Sequence, residues 1–247
     1  MAFTRGEIYR LLPRLSASAL KIDVLDSRSV APSSPHLEVD KNDGVAKLKD
    51  TQMNYQPLTI GNRFRIQPPG CSAPDDGRIA LIMRRGAFGS GEHETTASCL
   101  EILEQLDDLV GARVLDFGSG TGILSIAALR LGAAHTVCLD IDPRAVQTAR
   151  DNTDLNGLLA QTTHTTTPLD QLTASDFDLI LANIYADILL ACAAELINRT
   201  RPGGQLLLSG IPWEENYSVR QTYERLGCTV LKNRLLAEYS TVLLRKS

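Results

Sequence analysis

An acidic residue stands before three glycines at every second position in the stretch VLDFGSGTG: Asp116, Gly118, Gly120 and Gly122. Glycines let a backbone adopt open conformations and approach a ligand closely. The spacing departs from the dinucleotide fingerprint G-x-G-x-x-G, because Ile123 occupies the position of its third glycine. A carboxylate beside a pyrophosphate would repel it, whereas a cationic group would be attracted. We therefore expect a ligand that joins a positive charge to a nucleoside.

A second pair of acids follows in the stretch CLDIDP. Nucleotide-binding folds place an acid roughly 20 residues beyond the glycine loop, where it accepts hydrogen bonds from the ribose, and Asp140 stands at about that separation. Asp142 is the competing candidate. Because Pro143 follows Asp142, this second acid is more typical of a helix N-cap. We assign the ribose to Asp140.

These residues need a scaffold that brings strand ends together, and the hydrophobic pattern from about residue 95 predicts one. Apolar runs typical of buried strands alternate with segments of helical spacing. The predicted strands are ARVLDFG, HTVCLDID, FDLILANI and GQLLLSG. The predicted helices lie in TTASCLEILEQLDDL, GILSIAALRLG, PRAVQTARDNTDLNG, ADILLACAAELINRTRPGG and WEENYSVRQTYERLG, the fourth of these including its stop signal. This alternation indicates a parallel sheet with helices on both faces, and ligands bind at the carboxyl ends of such strands.

Both ends of the chain depart from this alternation. The last stretch, CTVLKNRLLAEYSTVLLRK, contains two runs that would form a terminal antiparallel pair. Towards the start, residues 6–15 predict a short helix limited by Pro13, and residues 31–44 have the composition of a loop or linker. Short strands are predicted at 58–60 and 63–66. We divide the chain into an N-terminal extension or recruiting segment, residues 1–54, and a second domain, residues 55–247.

Composition narrows the classes of function. At 247 residues, 43% of them hydrophobic, the chain can bury a sizeable core. Its formal net charge of -4 argues against a general nucleic-acid binder, which carries a basic excess. The five cysteines form no CxxC pair, which argues against a zinc site or a disulfide framework and favours a reducing cytoplasm. No apolar run is long enough to span a membrane.

Taken in order, the segments VLDFGSGTG, LDIDPRAVQTARDNTDLNG, FDLILANI and RPGGQLLLSGI resemble the motifs of class I S-adenosylmethionine-dependent methyltransferases. The upstream block GAFGSGEHETTASCLEIL, and the ANI after the fourth strand, narrow the resemblance to the ribosomal protein L11 methyltransferase family. It covers roughly residues 55 to 245. The resemblance implies a Rossmann-like α/β fold, with a mostly parallel seven-stranded sheet, a terminal antiparallel strand and helices on both faces. It also implies S-adenosylmethionine as the cofactor.

The resemblance further implies particular site residues. In the family, the second threonine of the TT pair contacts the cofactor, and the asparagine after the fourth strand borders both the methionine moiety and the incoming amine. Together with the loop and the ribose acid, the expected cofactor-binding residues are Thr96, Asp116, Gly118, Gly120, Asp140 and Asn183. Asn183 is also the expected catalytic residue. Phe88 and His93 are expected to help line the same pocket.

Several of these residues have simpler interpretations that the sequence leaves open. Thr95 or Thr96 is suited to be a helix N-cap, and Asn183 is suited to cap a strand end. His93 lies between two glutamates, as solvated loop residues often do. Adjacent residues seldom share one metal ion, so this Glu-His-Glu triplet is a poor metal site and no metal is expected.

Methyl transfer to an amine is a direct displacement at an activated sulfonium, so the protein mainly supplies alignment and a neutral nucleophile. Asn183 cannot act as a base, but its side-chain oxygen accepts hydrogen bonds and can orient an amine. We therefore expect no catalytic triad and no covalent intermediate, with the amine proton lost to water.

The expectation about the substrate rests on the composition of the N-terminal segment. The family's ribosomal enzyme carries a ferredoxin-like domain that recruits its substrate, and residues 1–50 show too little regular structure for such a β-α-β-β-α-β unit. We therefore expect weak or absent methylation of ribosomal protein L11, and activity on a different amine-bearing target. The alternatives are a methyltransferase of small molecules or other macromolecules and a non-catalytic module that binds the cofactor.

Overall fold

The computed structural model describes residues 55–72, 74–84, 93–107 and 109–247. All of them belong to one compact unit, residues 51–247. The helix predicted at residues 6–15, the linker-like stretch 31–44 and Phe88 lie outside the described residues.

Three short strands come first in the described part of the chain: β1 (Leu58–Ile60), β2 (Phe64–Gln67) and β3 (Ile79–Ile82). β1 pairs antiparallel with β2, and β2 pairs parallel with β3, in a sheet of their own. The first two strands confirm the prediction at 58–60 and 63–66. β3 was not predicted, because four apolar residues are too few to show a period.

The remaining elements alternate as the sequence predicts, and the strand at Thr162–Thr165 is an addition to the predicted set. The helices are α1 (Glu94–Leu103), α2 (Ile123–Arg130), α3 (Pro143–Leu155), α4 (Ala186–Ala191), α5 (Ala193–Arg199) and α6 (Trp213–Arg225). The strands are β4 (Arg113–Phe117), β5 (His135–Leu139), β6 (Thr162–Thr165), β7 (Phe177–Asn183), β8 (Thr200–Pro212), β9 (Cys228–Leu235) and β10 (Tyr239–Lys246).

Seven strands form the main sheet, in the spatial order β6-β5-β4-β7-β8-β10-β9. The strands from β4 to β8 pair in parallel, whereas β10 runs antiparallel to both of its neighbours. Val114 and Leu115 point to opposite faces of β4, and both are 0% exposed. The central strands are therefore covered on both faces, which explains their continuous apolar runs. This architecture confirms the predicted fold. No helix in the described ranges has the length and apolar character needed to cross a bilayer.

The stretch between β7 and the middle of β8 differs from the prediction. The single helix expected there bends at Cys192, where φ is -98° and ψ is 3°, although the Cys192 N–H still donates to the carbonyl of Ile188 (2.9 Å). The RPGG signal, expected as a stop after the helix, lies inside β8. The pairing shifts there from Phe177 with Thr200 to Leu179 with Gln205. Proline and glycine are tolerated in a strand at such an irregularity, because some of its residues do not join the ladder.

Candidate active site

The glycine loop connects β4 to α2 at the carboxyl edge of the sheet. Gly118, Gly120 and Gly122 have φ of 75°, 53° and 77°, a region that residues with side chains rarely adopt. The protein's own atoms leave no room for a side chain at Gly118 and little room at Gly122. A Cβ on Gly118 would lie 2.3 Å from Cγ2 of Ile184, and one on Gly122 would lie 3.1 Å from Cβ of Ala149. We expected a ligand to approach this backbone closely, and the side chains of Ile184 and Ala149 already do so in part.

Asp140 directly follows β5 and contacts the glycine loop. One carboxylate oxygen accepts a hydrogen bond from the N–H of Gly120 (2.9 Å), and the other accepts one from the N–H of Asp142 (3.0 Å). Burial raises the pKa of Asp140 above its usual value, although these backbone hydrogen bonds oppose the rise. A carboxylate oxygen can accept more than one hydrogen bond. The group therefore retains capacity for donors such as ribose hydroxyls.

Asp142 is confirmed as the N-cap of α3. Its side chain accepts a hydrogen bond from the N–H of Arg144 (2.9 Å), and Pro143 begins the helix. The guanidinium of Arg144 also pairs with the same carboxylate at 2.9 Å. These contacts with Arg144 lower the pKa of Asp142. The two acids of the LDIDP stretch therefore differ: Asp142 stabilises a helix, and Asp140 contacts the loop.

Asp116 lies against the first turn of α2 and is only 2% exposed. One of its carboxylate oxygens accepts hydrogen bonds from the N–H (3.2 Å) and the hydroxyl (2.9 Å) of Ser125. The thiol of Cys138 donates in turn to that hydroxyl at 3.1 Å. Burial raises the pKa of Asp116 to about 7. These contacts attach β4 to the helix, and the expected contact of Asp116 with a cofactor stays a prediction.

Thr96 and Asn183 lie far apart in the sequence, and the fold brings them together. Nδ2 of Asn183 donates a hydrogen bond to Oγ1 of Thr96 at 3.2 Å. Thr96 is fully buried in α1, whereas Asn183 ends β7 opposite Ser209 of β8. Oδ1 of Asn183 is buried and has no hydrogen-bond partner among the described residues. Because a buried acceptor without a donor is costly, this oxygen is a candidate partner for an N–H group of a ligand.

The beginning of α1 corrects one interpretation of the sequence. The N-cap is His93 rather than Thr95 or Thr96, and the Nδ1 of His93 accepts a hydrogen bond from the N–H of Thr95 (3.4 Å). The His93 ring meets the ring of Tyr239 edge to face, with 5.2 Å between centroids. The carboxylate of Glu94 accepts hydrogen bonds at 3.0 to 3.2 Å from three successive N–H groups of the β9–β10 turn, those of Ala237, Glu238 and Tyr239. His93 and Glu94 thus attach α1 to this hairpin.

Two buried asparagine side chains, Asn152 in α3 and Asn156 at its C-cap, were not predicted from the sequence. Asn152 donates to the carbonyl of Thr121 in the glycine loop (3.0 Å) and accepts from the N–H of Arg84 (2.7 Å). Asn156 bonds both backbone groups of Ile82, at 3.1 and 2.7 Å. The two side chains take the place of a neighbouring strand at the end of β3. The signal that could have found them is a pair of asparagines four residues apart on the apolar face of a helix.

The family model described as ribosomal protein L11 methyltransferase (PrmA) matches residues 7–247. The chain belongs to the ribosomal protein L11 methyltransferase family. Relatives in this family include the ribosomal protein L11 methyltransferases of Pelobacter propionicus, 43% identical over 204 residues, and of Azotobacter vinelandii, 45% identical over 187 residues. The two matches take in 78% and 73% of this chain, which spans only 64% and 63% of the lengths of these relatives.

A solved structure supports the same family. The ribosomal protein L11 methylase of Lactobacillus delbrueckii subsp. bulgaricus matches with a TM-score of 0.72 and 27% identity, over 78% of this chain and 100% of that one. The family predicted from the motifs is therefore confirmed. The family model also reaches into residues 7–54, where we recognised no recruiting domain in the sequence.

Proposed function

We propose that this chain transfers a methyl group from S-adenosylmethionine to an amine of a protein substrate. The observation that carries the proposal is the buried Oδ1 of Asn183, which lacks a partner within the described residues while Nδ2 of the same amide is held by Thr96. An acceptor at the carboxyl edge of the sheet suits the N–H of an amine. The names of the relatives, ribosomal protein L11 methyltransferases, support the same class of reaction.

The cofactor in this proposal lies over the glycine loop, held by Thr96, Asp116, Gly118, Gly120, Asp140 and Asn183. The chemistry of these residues fits it. Asp140 offers acceptors to ribose hydroxyls, and the glycines place no side chain between their backbone and a ligand. When bound, S-adenosylmethionine supplies a methyl group on a positively charged sulfur, which departs with the bonding electrons as a neutral thioether.

The protein's part is to orient the attacking amine. An amine attacks through its lone pair, so it must first lose the proton that it carries near neutral pH. Asn183 cannot take that proton, which passes to water. Its Oδ1 accepts one remaining N–H of the amine, and the hydrogen bond to Thr96 fixes the plane of the amide. Alignment of this kind lowers the barrier of a displacement that needs no further activation.

The boundary between residues 1–54 and a methyltransferase domain of residues 55–247 belongs to the same proposal, as does a cytoplasmic location. The match of the family model from residue 7 makes ribosomal protein L11 the first acceptor to test. Its weak methylation stays a prediction from the sequence, since we recognised no ferredoxin-like unit before residue 50.

The test is a transfer assay with methyl-labelled S-adenosylmethionine, using ribosomal protein L11 and a cell extract as separate acceptors. We expect label in protein, on amino groups, and loss of transfer in the Asn183→Ala variant. Label confined to small molecules of the extract would instead indicate a small-molecule methyltransferase. Tight binding of S-adenosylhomocysteine without any transfer would indicate a non-catalytic module.

A further inference from the structure

Three exposed aromatic side chains lie in the segments that directly follow β7 and β8. Tyr185, Trp213 and Tyr217 are 59%, 55% and 62% exposed, and we call these three residues the aromatic rim. Trp213 and Tyr217 are four residues apart in α6, so they lie on the same side of that helix. Aromatic residues bury much of their surface in most proteins, and exposed groups of them mark interaction sites.

The aromatic rim follows the ends of the two strands that meet at Asn183 and Ser209. Ser209 is the register partner of Asn183 on the neighbouring strand, and the four steps along the chain from Ser209 to Trp213 span at most about 14 Å. Tyr185 follows Asn183 by two residues. The backbone directly after β7 is also in tight contact with the last part of β8, since a Cβ on Gly210 would lie 2.5 Å from the carbonyl oxygen of Ile184. A segment bound on the rim would therefore lie at the same edge of the sheet as the unpaired amide oxygen of Asn183.

Two acidic side chains flank the aromatic rim. Glu214 follows Trp213, and the carbonyl of Glu238 accepts a hydrogen bond from the N–H of Trp213 at 3.3 Å. Both glutamates are exposed, and neither forms an ion pair with another residue in the described ranges. The basic side chains of β9 are engaged elsewhere, because Lys232 bonds Gln105 and Arg234 bonds Glu101. The rim thus combines apolar area with negative charge.

We propose that the aromatic rim, with Glu214 and Glu238, binds a lysine-rich segment of the protein substrate. This rests on the proposed function, because it names the partner of the same site. A lysine side chain joins an apolar stem, which packs on an aromatic ring, to an ammonium group, which is attracted to the ring face and to carboxylates. An acidic segment would be repelled, and an uncharged apolar segment would leave both glutamates without a partner.

Trp213 is the single tryptophan of the chain, so its fluorescence reports on the aromatic rim without labelling. The full chain is titrated with a short lysine–glycine peptide at low ionic strength. We expect a saturable change in emission that weakens with added salt, because exposed charges are screened. The Glu214→Gln/Glu238→Gln double variant should raise the Kd by roughly fivefold. Glu224→Gln, which alters an exposed acid near the other end of α6, is the matched control and should leave the Kd unchanged.

The proposal is overturned if an aspartate–glycine peptide changes the emission equally, or if the double variant binds the lysine peptide as the parent does. The emission could instead change with protein concentration alone, with a dimer detected by sedimentation. That result would assign the aromatic rim to a second copy of the chain and would also overturn the proposal. Failure of the proposed function would be detected by different measurements, as the absence of S-adenosylhomocysteine binding or of methyl transfer to any protein. With an acceptor protein identified, Trp213→Ala should raise the KM for that protein and not for the cofactor, and Trp213→Phe should restore it.

Discussion

The two halves of the sheet's carboxyl edge are built in different ways. The half around β4 and β5 is built on the glycine motif, whose backbone groups meet the side chains of Asp140 and Asn152. The half around β7, β8 and the β9–β10 hairpin is assembled by side chains distant in sequence, as where Asn183 meets Thr96 and Glu94 meets the hairpin. A sequence motif therefore marks the first half, whereas no local pattern marks the second, although side chains distant in sequence complete both.

The two halves touch at Gly118, and the largest expected effect follows from breaking that contact. Gly118→Ala would place its Cβ 2.3 Å from Ile184 in a backbone conformation with positive φ. We expect a loss of about 2–4 kcal/mol in the free energy of unfolding, from overpacking and backbone strain together. Urea denaturation measures it.

The control for this variant is Gly157→Ala, where φ is +67° but no atom lies within 4 Å of the new Cβ. It should cost only the strain of the left-handed backbone, about 1–2 kcal/mol. Adding Ile184→Ala to Gly118→Ala should recover part of the lost stability. Equal costs at the two glycines would mean that the two halves do not constrain each other at Gly118.

The half around β7 and β8 is tested most directly at Asn183. Asn183→Ala should lower kcat about 100-fold, the scale seen when one positioned hydrogen-bonding group is removed from a reacting centre. Thr96→Val keeps the shape of the buried side chain but removes the partner of the amide, and should lower kcat about tenfold. Steady-state rates with labelled cofactor measure both. An unchanged kcat in Asn183→Ala would remove this residue from the reaction.

The half around β4 and β5 is tested at Asp140 and Asp142. Substitution of the first should weaken cofactor binding, and substitution of the second should lower stability. Asp140→Ala should weaken S-adenosylhomocysteine binding by about 1.5–3 kcal/mol, less where water substitutes for the carboxylate. Asp142→Ala should leave that binding nearly unchanged but cost about 0.5–2 kcal/mol of stability through the lost helix cap. Calorimetric titration and thermal unfolding distinguish them. Equal losses of affinity in both variants would show that the ribose is assigned to the wrong acid.

The last effect is gradual, because it is spread over several pH units, and is expected at Asp116. Burial raises its pKa to about 7 in the folded chain, against about 3.9 in an unfolded one. The stability this group contributes is therefore present below pH about 4 and lost as the pH rises through about 7. Relative to Asp116→Asn, the parent's free energy of unfolding should fall over this range, by less than about 1.4 kcal/mol per pH unit. If the free energy of unfolding of parent and variant changed with pH in parallel, the raised pKa of Asp116 would be contradicted.

The same contrast explains what could be predicted from the sequence. The alternation of strands and helices, the glycine loop and the helix cap at Asp142 are local patterns, and the structure confirms all of them. The capping of α1 by His93 was not predictable, because the ring is held by Tyr239 from the far end of the chain. The amides of Asn152 and Asn156 were missed for the same reason, since their partners lie near β3 and in the loop.

The hairpin contacts of Glu94 have a consequence for equilibrium binding. Glu238 donates its N–H to Glu94 in α1, and its carbonyl accepts the N–H of Trp213 in α6. The helix that carries Thr96 and the helix that carries the exposed tryptophan are thus joined through one residue. Where a ligand on one side biases the position of that residue, the two affinities are coupled, and the coupling acts equally in both directions. The factor by which a bound protein changes cofactor affinity must then equal the factor by which bound cofactor changes affinity for the protein.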